Sequence, residues 1–270
     1  MDSRRLHYLR ALDIDVWQRR DRPVEPRVSS STLATVMPPV DVPRQAPQVV
    51  AKAIVPPSPI LEPARTTSLA QLVDPQIAAM DWETLVGSVA SCTRCALHTT
   101  RTQSVFGVGN RNASWMVIGE APGAEEDRQG EPFVGKAGQL LNQMLRAIGL
   151  EREQVFIANI LKSRPPSNRD PRPEEARACI PYLFRQIELV NPTLLLCVGR
   201  IAAQTLLETD TPIGKLRGRL HRVGPGRPMI VTYHPAYLLR SPGEKRKAWA
   251  DLVLAMQTYE RLAQEAGQSS

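Results

Sequence analysis

Short, wholly apolar runs alternate with amphipathic stretches along the chain after about residue 115. An unbroken apolar run bounded by glycine or polar residues is typical of a strand buried on both faces of a sheet. A stretch that repeats apolar residues at i, i+3 and i+4 is typical of a helix with one buried side. The predicted strands are residues 115–119, 155–161, 193–198, 220–223 and 228–233, and the predicted helices are residues 138–148, 173–190, 200–207 and 243–265.

Strands that alternate with helices in this way predict an α/β fold, in which helices cover both faces of a mainly parallel sheet. We place this domain at residues 68–265. Residues 1–22 have loosely helical apolar spacing and predict a short N-terminal helix, although a frayed tail fits the same pattern. Between positions 23 and 63 there are ten prolines. Residues 23–67 are therefore predicted to form an extended, disordered linker.

The composition fits a folded protein without a membrane segment. Hydrophobic residues make up 42% of the 270 positions, which is enough for a core. The longest apolar runs are far too short to span a bilayer, and the N-terminus lacks the apolar stretch of a signal peptide. We therefore expect a cytoplasmic protein with no membrane contact. In that reducing compartment, the four cysteines are better interpreted as metal ligands or core residues than as disulfide partners.

Positive charge is concentrated in one segment of the chain. Residues 214–247 hold nine Lys or Arg and a single Glu, whereas the net charge of the whole chain is +7, so the remainder is nearly neutral. A basic segment on a nearly neutral body suits a polyanion such as nucleic acid. The alternative is a solvated charged face, but such a face usually intersperses acidic residues.

Three polar residues stand at or just after the ends of predicted strands: Glu120, Asn159 and His234. The carboxyl ends of parallel strands meet at one edge of a sheet, where ligands of such folds bind, so we expect the three to converge. An amide can read a base edge because it both donates and accepts hydrogen bonds. A histidine at the start of a loop can donate to a developing anion. Taken singly, each also fits a structural role.

The connection after the first predicted strand contains two loop features. Residues 119–123 form a turn of glycine, proline and small residues, which lets the backbone approach a ligand closely. Phe133 lies further along, flanked by glycines and a proline, where it has little core to join. It is a candidate to stack on a planar ligand, with a plain hydrophobic anchor as the alternative.

Five motifs occur together in the chain: Gly119-Glu120-Ala121-Pro122-Gly123, Pro132-Phe133-Val134-Gly135-Lys136-Ala137-Gly138, Asn159, Lys162-Ser163-Arg164-Pro165-Pro166 and His234-Pro235. In this order and spacing they resemble the family 4 uracil-DNA glycosylases, the thermostable-type, iron–sulfur members of the uracil-DNA glycosylase superfamily. The resemblance covers roughly residues 92–255. It implies a three-layer α/β/α fold with a central four-stranded, mainly parallel sheet. It also implies hydrolysis of the N-glycosidic bond of deoxyuridine in DNA, as in base excision repair.

The resemblance assigns roles to the pocket residues. The implied catalytic residues are His234, Glu120 and Glu126, and the implied substrate-binding residues are Ala121, Phe133 and Asn159. Phe133 would stack on uracil, Asn159 would read its polar edge, and His234 would stabilise the departing base as an anion. Glu126 would orient the pocket or a water. Ala121 stands where other families of the superfamily place a water-activating aspartate, which favours a dissociative mechanism.

The segment after His234 is implied to enter a DNA groove. The predicted DNA-binding residues are Leu238, Leu239, Arg240, Lys215, Arg217, Lys245 and Arg246. Leu238 or Leu239 would fill the space left by the flipped nucleotide, and the basic residues would hold phosphates without reading sequence. We expect a monomer that acts on single- and double-stranded DNA containing uracil. A replication or repair protein is the partner predicted for the N-terminal segment.

The resemblance further implies a [4Fe–4S] cluster, but with one departure. The family's ligands are the two cysteines of a C-x-x-C motif, one cysteine in the Lys-Cys-Arg-Pro-Pro position and one in the following helix. Cys92, Cys95 and Cys179 match three of them, and Ser163 stands in the fourth position. A serine ligates iron less well than a thiolate, so loss of the cluster is the alternative.

Two other functions fit the same residues. One is a catalytically weak or inactive module that binds damaged DNA with the same fold. The other is a glycosylase that acts on another deaminated base. The presence of Phe133, Asn159 and His234 together favours uracil excision over the first of these.

Overall fold

The domain is built on one sheet of six strands: β1 Val108–Gly109, β2 Trp115–Gly119, β3 Phe156–Asn159, β4 Leu194–Val198, β5 Leu220–Val223 and β6 Arg227–Thr232. In the computed structural model, which describes residues 74–267, their order is β1-β3-β2-β4-β6-β5. The four middle strands are parallel, as predicted. Antiparallel β1 and β5 extend this parallel centre at its two edges.

The helices of the described residues are α1 Pro75–Ala78, α2 Trp82–Ala90, α3 Ala124–Gln129, α4 Lys136–Ala147, α5 Pro173–Val190, α6 Arg200–Leu207, α7 Ile213–Leu216, α8 Pro235–Arg240 and α9 Lys245–Gly267. Local chemistry sets several of their ends. The Asp81 carboxylate accepts from Thr84 N–H at 2.9 Å and caps α2. Pro173 and Pro235 open α5 and α8, where the missing N–H leaves no hydrogen bond unmade. Asn191, in the left-handed region, ends α5.

Helices cover both faces of the sheet, so the predicted three-layer α/β/α architecture is confirmed. On one face, Met116 and Ile118 of β2 belong to the same buried cluster as the apolar sides of α5 and α6. On the other face, Trp115 and Val117 share a cluster with α4 and α9. This alternation follows from the two-residue repeat of a strand. Cys197 of β4 is fully buried in the first cluster and serves as a small apolar residue there.

The described residues fall almost wholly within the predicted domain at 68–265. The last helix extends to residue 267. The predicted N-terminal helix at residues 1–22 and the predicted linker at residues 23–67 lie outside the described residues, and both stay predictions. Among residues 74–267, no helix is both long enough and apolar enough to cross a membrane.

Candidate active site

One cavity of about 700 Å³ opens at the carboxyl edge of the parallel strands. The structure brings the three predicted strand-end residues, Glu120, Asn159 and His234, together in its wall. Phe133, Ala121 and Glu126 line it as well. A volume of this size holds a nucleotide-sized ligand. The edge of the sheet at which strand ends converge is therefore where the chemistry of this chain is concentrated.

Gly119, the last residue of β2, lets two of these side chains approach the strand. A Cβ atom at this position would lie 2.3 Å from Asn159 Oδ1 and 2.6 Å from the Phe133 ring. Both distances are far inside van der Waals contact. The amide and the aromatic ring can therefore meet over the strand end only because residue 119 is glycine.

Asn159, in the wall of the cavity, has a buried amide oxygen without a hydrogen-bond partner among the described residues. The residue is 2% exposed, and within residues 74–267 no donor reaches its Oδ1. A buried polar atom that lacks a partner costs free energy, and in a cavity wall it marks a place where a ligand donor belongs. The Asn159 backbone is held from behind, since the buried Lys162 ammonium donates to its carbonyl at 2.8 Å and to Gln186 Oε1 at 2.6 Å.

His234 is oriented by its own helix. It caps α8, and its Nδ1 accepts a hydrogen bond from Ala236 N–H at 3.1 Å. The neutral ring must then carry its proton on Nε2. Burial lowers the pKa of His234 to about 4, with a further decrease from the positive charge of Arg240, while Glu126 opposes both. The ring also stacks on Phe133, with centroids 5.6 Å apart and planes 29° apart.

The Glu126 carboxylate ties together the two loops that frame the cavity. Oε2 accepts from Gly123 N–H at 3.1 Å, and Oε1 accepts from Val134 N–H at 3.1 Å and from Gly135 N–H at 3.3 Å. Three backbone donors thus use most of the acceptor capacity of this carboxylate. The Glu126 carboxylate therefore holds the two loops of the cavity wall in position.

Phe133 itself lies in an unfavourable backbone conformation that its neighbours enforce. Its φ is 55°, in the left-handed region that bulky residues avoid. Arg152 fixes this turn from the side away from the cavity: Nη2 donates to Pro132 O at 2.6 Å and Nη1 to Phe133 O at 3.3 Å. The helix behind the turn approaches so closely that a Cβ on Gly138 would lie 1.7 Å from Phe133 O. The strain is located in the loop that places this ring in the cavity wall.

Glu120 supplies a titratable carboxyl group to the wall. Burial raises its pKa to about 7, the negative charge of Asp170 raises it further, and Arg200 lowers it. Arg200 and Asp170 form an ion pair at 3.0 Å. No hydrogen bond from the described residues reaches the Glu120 side chain. A carboxyl group with a pKa near neutrality can exchange a proton with a bound water.

The residues predicted to contact DNA occupy different environments. Leu239 is 45% exposed, Arg240 is exposed and lines the cavity, and Lys215 on α7 and Arg246 on α9 are exposed. Lys245, at the start of α9, is partly exposed. These residues are accessible to a polyanion beside the cavity.

Leu238 and Arg217 are directed inward instead. Leu238 is 1% exposed and packs in the core cluster with α9, so it is a packing residue in this structure. Arg217 forms a bidentate ion pair with Asp251, at 2.8 and 2.9 Å, and donates to Lys247 O at 2.5 Å. Asp251 is fully buried. The Arg217 guanidinium is therefore committed to neutralising a buried carboxylate.

The four residues predicted as cluster ligands do not form a common site. The free thiols of Cys95 and Cys179 interact with each other, and this interaction lowers the pKa of Cys95 to about 6. Cys92 instead interacts with the Tyr182 hydroxyl. The Ser163 hydroxyl accepts from Arg101 Nη1 at 2.9 Å. Within residues 74–267, no group of three or more His, Cys, Asp or Glu side chains is arranged to hold a metal ion. The side chains present do not fit a four-thiolate cluster.

Sequence patterns gave no indication of Arg152 or of the role of Lys162. Arg152 lies in a short 3₁₀ turn 19 positions from Phe133, and only the folded chain places it against that residue. Lys162 follows the apolar residues Ile160 and Leu161, and this context was the available sign that its side chain is buried.

Comparison with known proteins agrees with the geometry. The family model described as "Uracil DNA glycosylase superfamily" matches residues 106–253. A Type-4 uracil-DNA glycosylase of Archaeoglobus fulgidus is 48% identical over 165 residues, which cover 58% of this chain and 83% of that protein. Type-4 uracil-DNA glycosylases of Thermotoga maritima and Pyrobaculum aerophilum are 45% and 40% identical. Those alignments cover 57% and 65% of this chain and 80% and 93% of the relatives.

Proposed function

The chain belongs to the uracil-DNA glycosylase superfamily, and on this basis we propose that it removes uracil from DNA by hydrolysing the N-glycosidic bond of deoxyuridine. The observation that carries the proposal is the buried, unpartnered Asn159 Oδ1 of a residue that lines the same nucleotide-sized cavity as His234. The names of the similar Type-4 proteins support the same activity. The chain is accordingly a DNA N-glycosylase, a hydrolase.

Asn159 is the residue that would recognise the base. Uracil carries an N–H donor at N3 between two carbonyl acceptors. The Asn159 oxygen can accept from N3–H, and its NH₂ group can donate to the neighbouring carbonyl. Cytosine has no hydrogen at N3 and carries an amino group in place of the C4 carbonyl, so with the amide in this orientation both contacts would be lost. A site built in this way discriminates by leaving a polar group unpaired. The base must first leave the helix stack to reach it.

His234 would stabilise the leaving group. As the bond between C1′ and N1 breaks, the electron pair stays with uracil, and negative charge develops on the base. A neutral imidazole with its proton on Nε2 can donate to a uracil carbonyl oxygen without first losing a proton to solvent. The contact between Ala236 N–H and Nδ1 pre-sets this tautomer, and the lowered pKa keeps the ring neutral.

Glu120 is the residue that we assign to the attacking water. The sugar left behind is a cation at C1′, and a water oxygen adds to it. One water proton goes to the Glu120 carboxylate and can pass from there to the uracil anion, so that the products are an abasic site and neutral uracil. The raised pKa of Glu120 suits this transfer near neutral pH. Ala121 leaves the adjacent position without a carboxylate.

Glu126 acts in this scheme by positioning the pocket. Its carboxylate already accepts from Gly123, Val134 and Gly135. It therefore fixes the position of the turn at residues 119–123 relative to the Phe133 loop. Phe133 would present its ring to the flipped base.

The exposed residues beside the cavity would bind the DNA. Leu239 is the wedge that the geometry favours over Leu238, since only an exposed side chain can enter the stack. Arg240, Lys215, Lys245 and Arg246 would hold phosphates of single- or double-stranded DNA. Arg217 would act indirectly, because its ion pair with Asp251 holds the segment after α7 against α9.

The remaining features of the chain enter the proposal as expectations. No step uses a [4Fe–4S] cluster, because Cys92, Cys95, Cys179 and Ser163 do not fit a four-thiolate site. We expect the protein to act as a monomer in the cytoplasm. A replication or repair partner for the N-terminal segment stays a prediction.

A cleavage assay tests the activity directly. Single- and double-stranded oligonucleotides with one uracil are incubated with the full chain, and abasic sites are then cleaved with alkali. Matched oligonucleotides with cytosine or thymine in place of uracil are the controls. We expect scission only of the uracil-containing strands. Absence of scission with both uracil substrates would reject the proposal in favour of a non-catalytic DNA-binding module. Hypoxanthine and xanthine substrates in parallel test for another deaminated base.

A further inference from the structure

The segment at residues 91–105, called the thiol loop here, lies against both segments that build the pocket. On one side, its Thr102 N–H donates to the buried Asp127 carboxylate of α3 at 2.9 and 3.1 Å. On the other side, its Val105 N–H donates to Lys162 O at 2.8 Å, three residues after Asn159. The position of this loop therefore affects the geometry of the cavity wall.

Arg101 links three parts of the chain at the base of this loop. Its Nη1 donates to Ser163 Oγ and its Nη2 donates to Ala90 O, both at 2.9 Å. Ala90 ends α2, and Ser163 is 3% exposed in the segment that follows β3. One planar guanidinium thus joins a helix end, the thiol loop and the pocket segment. Its two terminal nitrogens donate to two separate acceptors at once, a geometry that arginine provides and lysine does not.

The other side chains of this site also have partners that need no metal. The free thiols of Cys95 and Cys179 interact with each other, and Tyr182 interacts with both Cys92 and Ser88. The Ser163 hydroxyl oxygen already accepts a hydrogen bond from Arg101, and to ligate iron as a thiolate does it would also have to lose its proton. Each group is satisfied in a hydrogen-bonded network.

We propose that the Arg101 link to Ser163 and Ala90 is the crosslink that fixes the thiol loop beneath the pocket, and that this chain holds the loop without an iron–sulfur cluster. The inference concerns the scaffold and goes beyond uracil excision. Its readouts are unfolding and iron content, so it can stand or fall independently of the proposed activity.

A double-mutant cycle tests the link. Arg101→Ala, Ser163→Ala and the double variant are compared with the wild type by thermal unfolding of the full chain. We expect each single substitution to lower the unfolding midpoint, and the double variant to lose clearly less than the sum, because the two side chains share one bond. Arg101→Lys should resemble Arg101→Ala, since one ammonium group cannot replace the two-armed contact. Arg128→Ala, which removes an exposed ion pair with Glu125, is the control and should leave the midpoint nearly unchanged.

Additive losses in the cycle, or no loss in Ser163→Ala and Arg101→Lys, would overturn the link. A second measurement addresses the metal. The full chain is purified without oxygen, its iron and acid-labile sulfide are measured, and its unfolding midpoint is compared before and after treatment with an oxidant and a chelator. We expect substoichiometric iron and an unchanged midpoint. Stoichiometric iron and sulfide, or a midpoint that falls when they are stripped, would overturn the proposal.

Discussion

At the scale of single residues, the two cavity side chains that we assign to anion stabilisation and proton transfer, His234 and Glu120, have displaced pKa values. His234 has a pKa lowered to about 4 and stays neutral over the physiological range. Glu120 has a pKa raised to about 7 and titrates within it. Burial is the main cause of both shifts, because it disfavours the charged form of either group. The same buried environment thus makes His234 a neutral hydrogen-bond donor and Glu120 a proton acceptor.

We expect His234→Gln to reduce single-turnover uracil release by about 10²–10³-fold, as for loss of one donor to a developing anion. Affinity for uracil-containing DNA should change little, because the donor acts mainly when the base becomes an anion. Single-turnover rates and equilibrium binding on the same oligonucleotide separate the two effects. A large loss of affinity with an unchanged rate would show that His234 serves binding.

The pH dependence of the reaction should be set by Glu120. Below its pKa of about 7 the carboxyl group is protonated and cannot accept a proton, so the single-turnover rate should fall as the pH decreases through about 7. His234 adds no limb there, since it remains neutral well below that range. Glu120→Gln should be slower at alkaline pH and should lose this limb. A limb that persists unchanged in the variant would assign the titration to another group.

Stability provides the control for that substitution. The folded-state pKa of Glu120 is raised, so its charged form is disfavoured in the folded protein, and stability decreases as the pH rises between the usual value near 4.5 and about 7. The uncharged glutamine removes this cost. Glu120→Gln should therefore be at least as stable as the wild type at alkaline pH, where its rate is lower. Unfolding midpoints measured at the pH values of the rate profile check this.

At the scale of elements, the Phe133 loop is held in a strained turn by contacts on two sides. Glu126 binds its amide groups from the cavity side, and Arg152 binds its carbonyl groups from the other. A left-handed φ at a bulky residue costs roughly 1–3 kcal/mol and persists only where the surroundings enforce it. Presentation of the aromatic ring thus depends on residues that do not touch the base.

Arg152→Ala should therefore affect catalysis more than its cost in stability suggests. We expect a loss of about 1–2 kcal/mol in the free energy of unfolding, as for removal of hydrogen bonds to a few partly buried carbonyl groups. The relaxed loop would no longer place Phe133 beside His234, so single-turnover uracil release should fall by about tenfold or more. Chemical denaturation and single-turnover kinetics are the measurements. Arg261→Ala, which removes an exposed ion pair at the end of α9, is the control. A rate equal to that of the wild type would contradict the positioning role.

The elements that could be predicted from the sequence are those long enough to show a periodic pattern of apolar residues. The apolar run ending at Gly119 and the helical spacing of residues 173–190 identified β2 and α5 directly. The rule that parallel strand ends converge was sufficient to bring Glu120, Asn159 and His234 together. By contrast, α3 and α8 have six residues each and β1 has two, which is too short for a period to appear.

Contacts between distant residues account for what the sequence could not indicate. Arg217 stands among other basic residues and was therefore predicted to bind DNA. Its partner, Asp251, lies 34 positions away and is fully buried. Leu238 and Leu239 are adjacent and chemically identical, and only the packing of α8 against the domain core makes Leu238 buried and leaves Leu239 exposed. The Arg101 contact with Ser163 likewise joins residues 62 positions apart.

At the scale of the whole domain, ion pairs reduce the positive charge that the basic segment can offer to DNA. The basic segment at residues 214–247 includes the exposed Arg240, Lys215 and Arg246, whereas Arg217 and Lys247 are paired with Asp251 and Glu244. The free positive charge is therefore smaller than the residue count indicates. Contacts to phosphates alone would not distinguish single- from double-stranded DNA. A difference in activity between the two substrates would then have to come from the side chain that fills the space left by the extruded base.

Leu239 is the side chain that we expect to fill this space. In a duplex, extrusion of the base leaves a gap whose unstacking costs a few kcal/mol, and an apolar wedge recovers part of that cost. A single strand has no such gap to fill. Leu239→Ala should therefore slow uracil release from double-stranded DNA by about tenfold, equivalent to about 1.4 kcal/mol, and change release from single strands little. Val86→Ala, at another exposed apolar residue on α2, is the matched control and should leave both rates unchanged. Equal losses on both substrates would mean that Leu239 acts in the pocket itself, because only a group that contacts the extruded nucleotide would affect both.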